Sequence, residues 1–215
     1  MAIVAQPFVK WAGGKRHLLG QLEALLPDNF DELEDVTYVE PFVGGGAVLF
    51  HMLNNHPNIR RAIINDINPN LIECYRLVKE HPNELISELQ KIQDLYNSAD
   101  IEGKERIYYN YRSKYNNDEL TSVKKAAIFI FLNHTCFNGL YRVNANGAFN
   151  AINVEWLGWD VAVNLRVLVA ALFLVAAVMQ FVGLALVYNL DKKTLAKMNE
   201  ELEARHSAET AEVEA

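Results

Sequence analysis

The sequence predicts an α/β protein, and three observations carry that expectation. Two short apolar runs, Val36–Val39 and Ala62–Ile64, have the length and branched side chains of strands in a parallel sheet. Between them lies the glycine run Pro41-Phe42-Val43-Gly44-Gly45-Gly46, and twenty residues past its last glycine stands Asp66. A strand, a glycine turn that lets backbone approach a ligand, and an acid after the next strand together form a nucleoside cradle. The acid can accept from two ribose hydroxyls.

The other elements follow in order. Lys15–Leu26 has helical spacing through Leu18, Leu19, Leu22, Leu25 and Leu26, and stops at Pro27. Asn68 and Pro69 open a helix through Leu71, Tyr75 and Val78, and Pro82 opens another through Leu85, Leu89 and Ile92. Proline costs little in a first turn, because the donor it lacks would have been unpaired there. Glu102–Tyr115 is an aromatic and basic segment, Ser122–Asn133 a strongly apolar helix, and 137–150 a loop rich in glycine and asparagine.

Past about Val154 the texture changes. Val167–Tyr188 is a run of 22 residues without a charge, thirteen of them Val, Leu or Phe. Such a run is worth roughly −4 to −8 kcal/mol on a membrane-insertion scale and reaches about 33 Å as a helix. With Arg166 on one side and Lys192 and Lys193 on the other, it is expected to be a transmembrane helix. Asp191–Ala215 reads as an acidic helical tail with Leu195, Met198 and Leu202 on one side.

Charge and cysteine content bound the function. The net charge of −7 does not suggest a nucleic-acid binder. Between Gly103 and Asn150, however, seven Lys/Arg stand against Glu105, Asp118 and Glu119, a local +4. That surplus reads either as a nucleic-acid surface or as a solvated helix face. Cys74 and Cys136 lie far apart without metal-ligand spacing, so they are expected to be reduced thiols, with no metal bound. The first residues lack the charged and long apolar regions of a secretion signal.

Four constellations carry chemistry. Phe8-Val9-Lys10-Trp11-Ala12-Gly13-Gly14-Lys15 sets an indole and two lysines around a glycine turn. The glycine run with Glu40, and Asn65-Asp66-Ile67-Asn68, make the cradle. The loop Asn133–Asn144 then packs an aromatic, an amide, an apolar wedge and an arginine after a helix, types that can fill a disturbed base stack and read guanine. Taken together, "PFVKWAGGK", "EPFVGGGAVLF", "INDINPNLI" and "FNGLYRVNANGAFN" resemble the Dam-type, D12 class adenine-N6 DNA methyltransferases over residues 7–150.

The resemblance implies an incomplete Rossmann-like domain with a helical DNA-recognition insert and S-adenosylmethionine as cofactor. It implies that Trp11 and Lys15 line the cofactor site, that Pro41, Phe42, Gly44 and Gly46 shape the loop near the methionine moiety, and that Asp66 holds the ribose. Lys10 and Arg142 would read guanines of a short, adenine-containing, GATC-like palindrome in double-stranded DNA. Phe137, Asn138 and Leu140 would intrude where the adenine is flipped out. The domains so expected are 1–100 (cofactor), 101–150 (target recognition), 151–166 (junction), 167–188 (membrane helix) and 189–215 (tail).

The family's Asp-Pro-Pro-Tyr-type loop, which orients the adenine amine, has no counterpart here, since no two of the six prolines are adjacent. No catalytic residue is therefore assigned, and activity is expected to be lost. Residues 164–206 resemble the last membrane helix and tail of a glycoside–pentoside–hexuronide sugar:cation symporter. Three readings result: a truncated methyltransferase, a silent DNA- and cofactor-binding module tethered to a membrane, or a chimeric reading frame with a transporter end. Localisation is expected to be cytoplasmic by the first half, or membrane if 167–188 inserts.

Overall fold

The computed structural model describes residues 5–153. Two parallel strands, β1 (Val36–Glu40) and β2 (Ile59–Ile64), pair in the register Thr37 with Arg61 through Glu40 with Ile64. The helix α2 (Ala47–Asn55) connects them, as a parallel pair requires. β2 starts earlier than its apolar run suggests, because Arg60 and Arg61 keep their side chains exposed while their backbone continues the strand. Val36 N–H donates to Asn58 C=O and Asn65 N–H to Glu40 C=O, so the ladder runs past both strand ends.

The helix expected over Lys15–Leu26 is broken. A 3-10 turn at Lys15–Leu18 precedes the short helix α1 (Leu19–Glu23), and no residue of either is buried. Without a buried face the leucine spacing has nothing to propagate it. Instead Glu23 and Asp31 both reach the buried His56, at 3.0 and 2.7 Å, and tie this segment to the end of α2.

Four helices then stack: α3 (Pro69–Glu80), α4 (Pro82–Asn97), α5 (Ile101–Asn117) and α6 (Ser122–Thr135). α6 is buried from Ala126 to Thr135 and is the axis on which α3, α4 and α5 pack. Asn68 caps α3, its side chain accepting from Asn70 and Leu71 N–H at 3.0 and 3.2 Å, ahead of Pro69 at the first turn. Asn68→Ala is expected to cost about 1 kcal/mol in urea denaturation of the full chain, and no change would show that the cap contributes nothing.

The cations of the basic stretch are largely engaged with aromatic rings. Arg112 lies 4.6 Å from the Tyr109 ring, and Lys104, Lys114 and Lys125 each lie 5.5 Å from the rings of Tyr96, Tyr111 and Tyr115. α5 is thereby a frame as well as a charged surface.

The expected transmembrane helix is corrected. Among the described residues no helix is long and apolar enough to cross a membrane. α6, with the longest buried run, has 14 residues and so reaches only about 21 Å of a core about 30 Å thick. α5 has 17 residues but carries Lys104, Glu105, Arg106, Arg112 and Lys114. The segment 167–188 itself lies outside the described residues, as do 154–166 and 189–215. The membrane-anchored fold, the symporter resemblance, the membrane partner and the membrane localisation are withdrawn with it. What stands is a mixed α/β, methyltransferase-like fold.

Candidate cofactor and DNA-reading site

The site forms where both strands end on the same side, the place at which parallel α/β sheets bind ligands. Val43 N–H donates to Asn65 C=O at 2.8 Å, which draws the loop after β1 against the loop after β2. Asp66 completes the join. One of its oxygens accepts from Gly44 N–H at 2.9 Å and the other from Asn68 N–H at 3.0 Å. A carboxylate offers about four acceptor sites, so two remain for a ligand.

Gly44 and Gly46 both have positive φ, +53° and +84°. Gly46 is buried and opens α2; a Cβ there would lie 2.6 Å from the Tyr75 hydroxyl. That hydroxyl donates to Gly44 C=O at 3.0 Å, and burial followed by the charges of Glu40 and Asp66 holds its pKa far above the usual phenol value. Behind the loop, Lys15 donates to Glu40 at 2.7 Å and to Phe42 C=O, and the Tyr38 hydroxyl donates to the other Glu40 oxygen at 2.7 Å. Lys15 thus fixes the loop with two of its three donors.

Around these groups opens a cavity of about 560 Å³. Trp11, Lys15, Phe42, Gly44 and Asp66 line it, as does Lys10. Five of the seven residues assigned to the cofactor therefore converge. Pro41 and Gly46 do not line the cavity; Pro41 is exposed beside it and Gly46 packs behind it. Ile67, next to Asp66, is 92% exposed, an apolar side chain held in water at the end of β2.

The second group of residues sits on the loop after α6. A 3-10 turn at Phe137–Gly139 carries Asn138 at φ +52°, and Phe137, Asn138 and Leu140 are exposed. A hairpin follows. Asn150 N–H donates to Arg142 C=O at 2.9 Å, and Asn144 N–H to Ala148 C=O at 2.9 Å. The exposed Arg142 guanidinium donates to Asn150 Oδ1 at 2.8 Å and to its C=O at 3.2 Å. Asn116 of α5 bonds both backbone groups of Phe149, at 2.9 and 3.0 Å, while Tyr108 and Arg112 donate to Ala151 C=O.

Residues 8–11 belong to both groups. Trp11 stacks on Tyr141 with ring centres 5.7 Å apart and interplanar angle 25°, and its indole also lies against the loop at Gly44. Asn70 donates to the Tyr141 hydroxyl at 3.3 Å. His134 Nε2–H donates to Phe8 C=O at 2.7 Å, and burial pushes the imidazole pKa down to about 4, so the ring is neutral near pH 7. Burial likewise lowers the Lys10 pKa, opposed by the Cys136 thiol.

Several of these groups are given no role in the site by the sequence: Tyr75, Tyr141, Asn116 and Asn150. Tyr75 did leave a signal, because a tyrosine on the apolar face of a helix needs a partner for its hydroxyl. The asparagines left none, since nothing local to them names a partner far along the chain.

Known proteins complete the picture. Residues 11–158 match the D12 class of N6 adenine-specific DNA methyltransferases. The chain is 47% identical over 147 residues to the Type II methyltransferase M.MjaIII of Methanocaldococcus jannaschii, covering 67% of this chain and 50% of that protein. It is 36% identical over 148 residues to the Type II methyltransferase M1.LlaDCHI of Lactococcus lactis subsp. cremoris, covering 67% of this chain and 46% of that one. Against the DNA adenine methylase of Escherichia coli K12 the identity is 34% over 147 residues, covering 66% and 45%. The chain therefore spans half or less of the length of these relatives. With a glycine loop and acid joined at the ends of two parallel strands, and a match over most of the described residues, the chain belongs to the D12 class of S-adenosylmethionine-dependent adenine-N6 DNA methyltransferases.

Proposed function

We propose that residues 5–153 hold S-adenosylmethionine in the cavity beside Asp66 and read a short adenine-containing duplex with Lys10 and the loop 137–150. The observation that carries this reading is the convergence of Gly44, Asp66 and Trp11 on one cavity whose wall, Lys10–Trp11, also packs on the exposed loop. A volume of about 560 Å³ is in the range of cofactor clefts. The free acceptor sites of Asp66 suit two ribose hydroxyls. Trp11 lines the same cavity, Lys15 and Phe42 border it, and Pro41 and Gly46 shape the loop beside it.

Bound there, the cofactor supplies an activated methyl group. The chain's own residues bind and orient. Phe137, Asn138 and Leu140 fill the space left by a flipped adenine, and Lys10 and Arg142 read guanines of a GATC-like palindrome. Asn150 holds the Arg142 guanidinium in place before DNA arrives. The amine-orienting Asp-Pro-Pro-Tyr-type loop is not among the 215 residues, so the chain by itself is proposed to bind cofactor and DNA without transferring methyl groups.

Three measurements on the full chain test this. Calorimetry is expected to show S-adenosylmethionine binding, gel shift to show preference for a target duplex, and labelled cofactor to leave adenine unmethylated. Arg142→Ala is expected to reduce the preference for the target roughly tenfold, the worth of one bidentate guanine contact. A chain that binds neither cofactor nor DNA would end the proposal, and methylated adenine would end its last clause.

A further inference from the structure

We propose that Asn133 is the positioning residue for target reading. Its carboxamide locks the backbone of Lys10 to the turn at Gly139, so that the Lys10 side chain and the Phe137–Leu140 tip meet DNA in one fixed arrangement. The inference rests on the DNA-reading role proposed above.

Asn133 stands near the end of α6, only 1% exposed, in a helix otherwise apolar from Ala126 to Leu132. An apolar residue would serve packing there, so a buried amide has to be explained by its hydrogen bonds. It accepts from Lys10 N–H at 2.8 Å. Its two N–H groups donate to Lys10 C=O at 2.8 Å and to Gly139 C=O at 2.9 Å. The first pair imitates a strand partner for Lys10, which lies 123 residues away in sequence. The third bond fastens the same amide to the recognition turn. Both donors are thereby used on two different segments, and no other side chain of this length supplies two donors and an acceptor in one plane.

Gly139 reports the same junction from the other side. Its φ is +64°, and a Cβ on it would lie 2.3 Å from the Lys10 Cβ. The Lys10 side chain therefore packs directly on the backbone of the turn, and the amide sets their offset. His134 separately holds Phe8 C=O at 2.7 Å, so loss of the Asn133 bonds loosens Lys10 against the turn without detaching residues 8–11 from α6.

The test uses the full chain and two fluorescent duplexes, one with a GATC target and one with a single base pair of it changed. Asn133→Asp is nearly isosteric and removes both donors; Asn133→Ser is shorter and breaks the bridge between Lys10 and Gly139 without adding charge. Wild type is expected to prefer the target about tenfold or more, and both variants to lose at least about fivefold of that preference. Affinity for the altered duplex and for S-adenosylmethionine should stay within about threefold.

An Asn133→Asp protein that discriminates like wild type overturns the proposal. So does one in which both duplexes and the cofactor weaken together, because that is the signature of a structural role. If Asn133→Asp fails to fold, Asn133→Ser decides between the same outcomes. A wild-type chain with no preference for the target removes the DNA-reading role itself, a failure distinct from that of Asn133.

Discussion

Replacing Asp66 by alanine is expected to weaken S-adenosylmethionine binding about a hundredfold or more. The carboxylate does two things at once. It accepts from Gly44 N–H at 2.9 Å and Asn68 N–H at 3.0 Å, which sets the glycine loop against the start of α3. It also has acceptor sites left over for ribose hydroxyls. Hydrogen bonds to a charged group contribute roughly 1.5–3 kcal/mol each, so losing two ligand contacts removes about 3 kcal/mol or more. A factor of a hundred corresponds to about 2.7 kcal/mol. Asp66→Asn retains one oxygen in place and should fall between the two. Calorimetric titration of the full chain reads this directly, with thermal melting as the control for folding. If Asp66→Ala binds cofactor within about threefold of wild type while remaining folded, the ribose role of Asp66 is wrong.

What could be read from the sequence was whatever is encoded locally. The strand, glycine run and acid are consecutive in the chain, and backbone physics joins them wherever the two strands pair. Proline at the first turn marked α3 and α4, and the apolar run marked α6 as a helix, which packing makes the buried axis. The helix over Lys15–Leu26 failed because leucine spacing states only that a face could be buried, and among the described residues none of its leucines is buried. The basic stretch was legible only in part, since the approach of Lys104 to Tyr96 of α4, and of Lys125 to Tyr115 of α5, depends on how these helices pack. Asn116, Asn133 and Asn150 bond backbone groups of other segments, and an asparagine sequence carries no trace of its distant partner.

Gly46→Ala is expected to cost about 3 kcal/mol or more of stability, although it adds one methyl group. Two terms contribute. Gly46 has φ +84°, a region that costs an L-residue roughly 1–2 kcal/mol. The new Cβ would also lie 2.6 Å from the Tyr75 hydroxyl and 2.8 Å from the Phe50 ring, and forcing buried aromatics apart costs about 1–3 kcal/mol. Tyr75 is 1% exposed and Phe50 2%, so neither can swing into solvent. Gly13 supplies the control, because its φ is +75° but a Cβ there meets nothing within 4 Å. Gly13→Ala should therefore lose only the backbone term, and the difference between the two variants isolates the packing term. Urea denaturation of both, read by near-ultraviolet signal, measures that difference. Displacement of Tyr75 also strains its bond to Gly44 C=O, so Gly46→Ala should weaken the cofactor beyond its effect on folding. Equal losses from the two substitutions would mean that Gly46 is needed for its backbone angle alone, and that the loop is not clamped by the α3 tyrosine behind it.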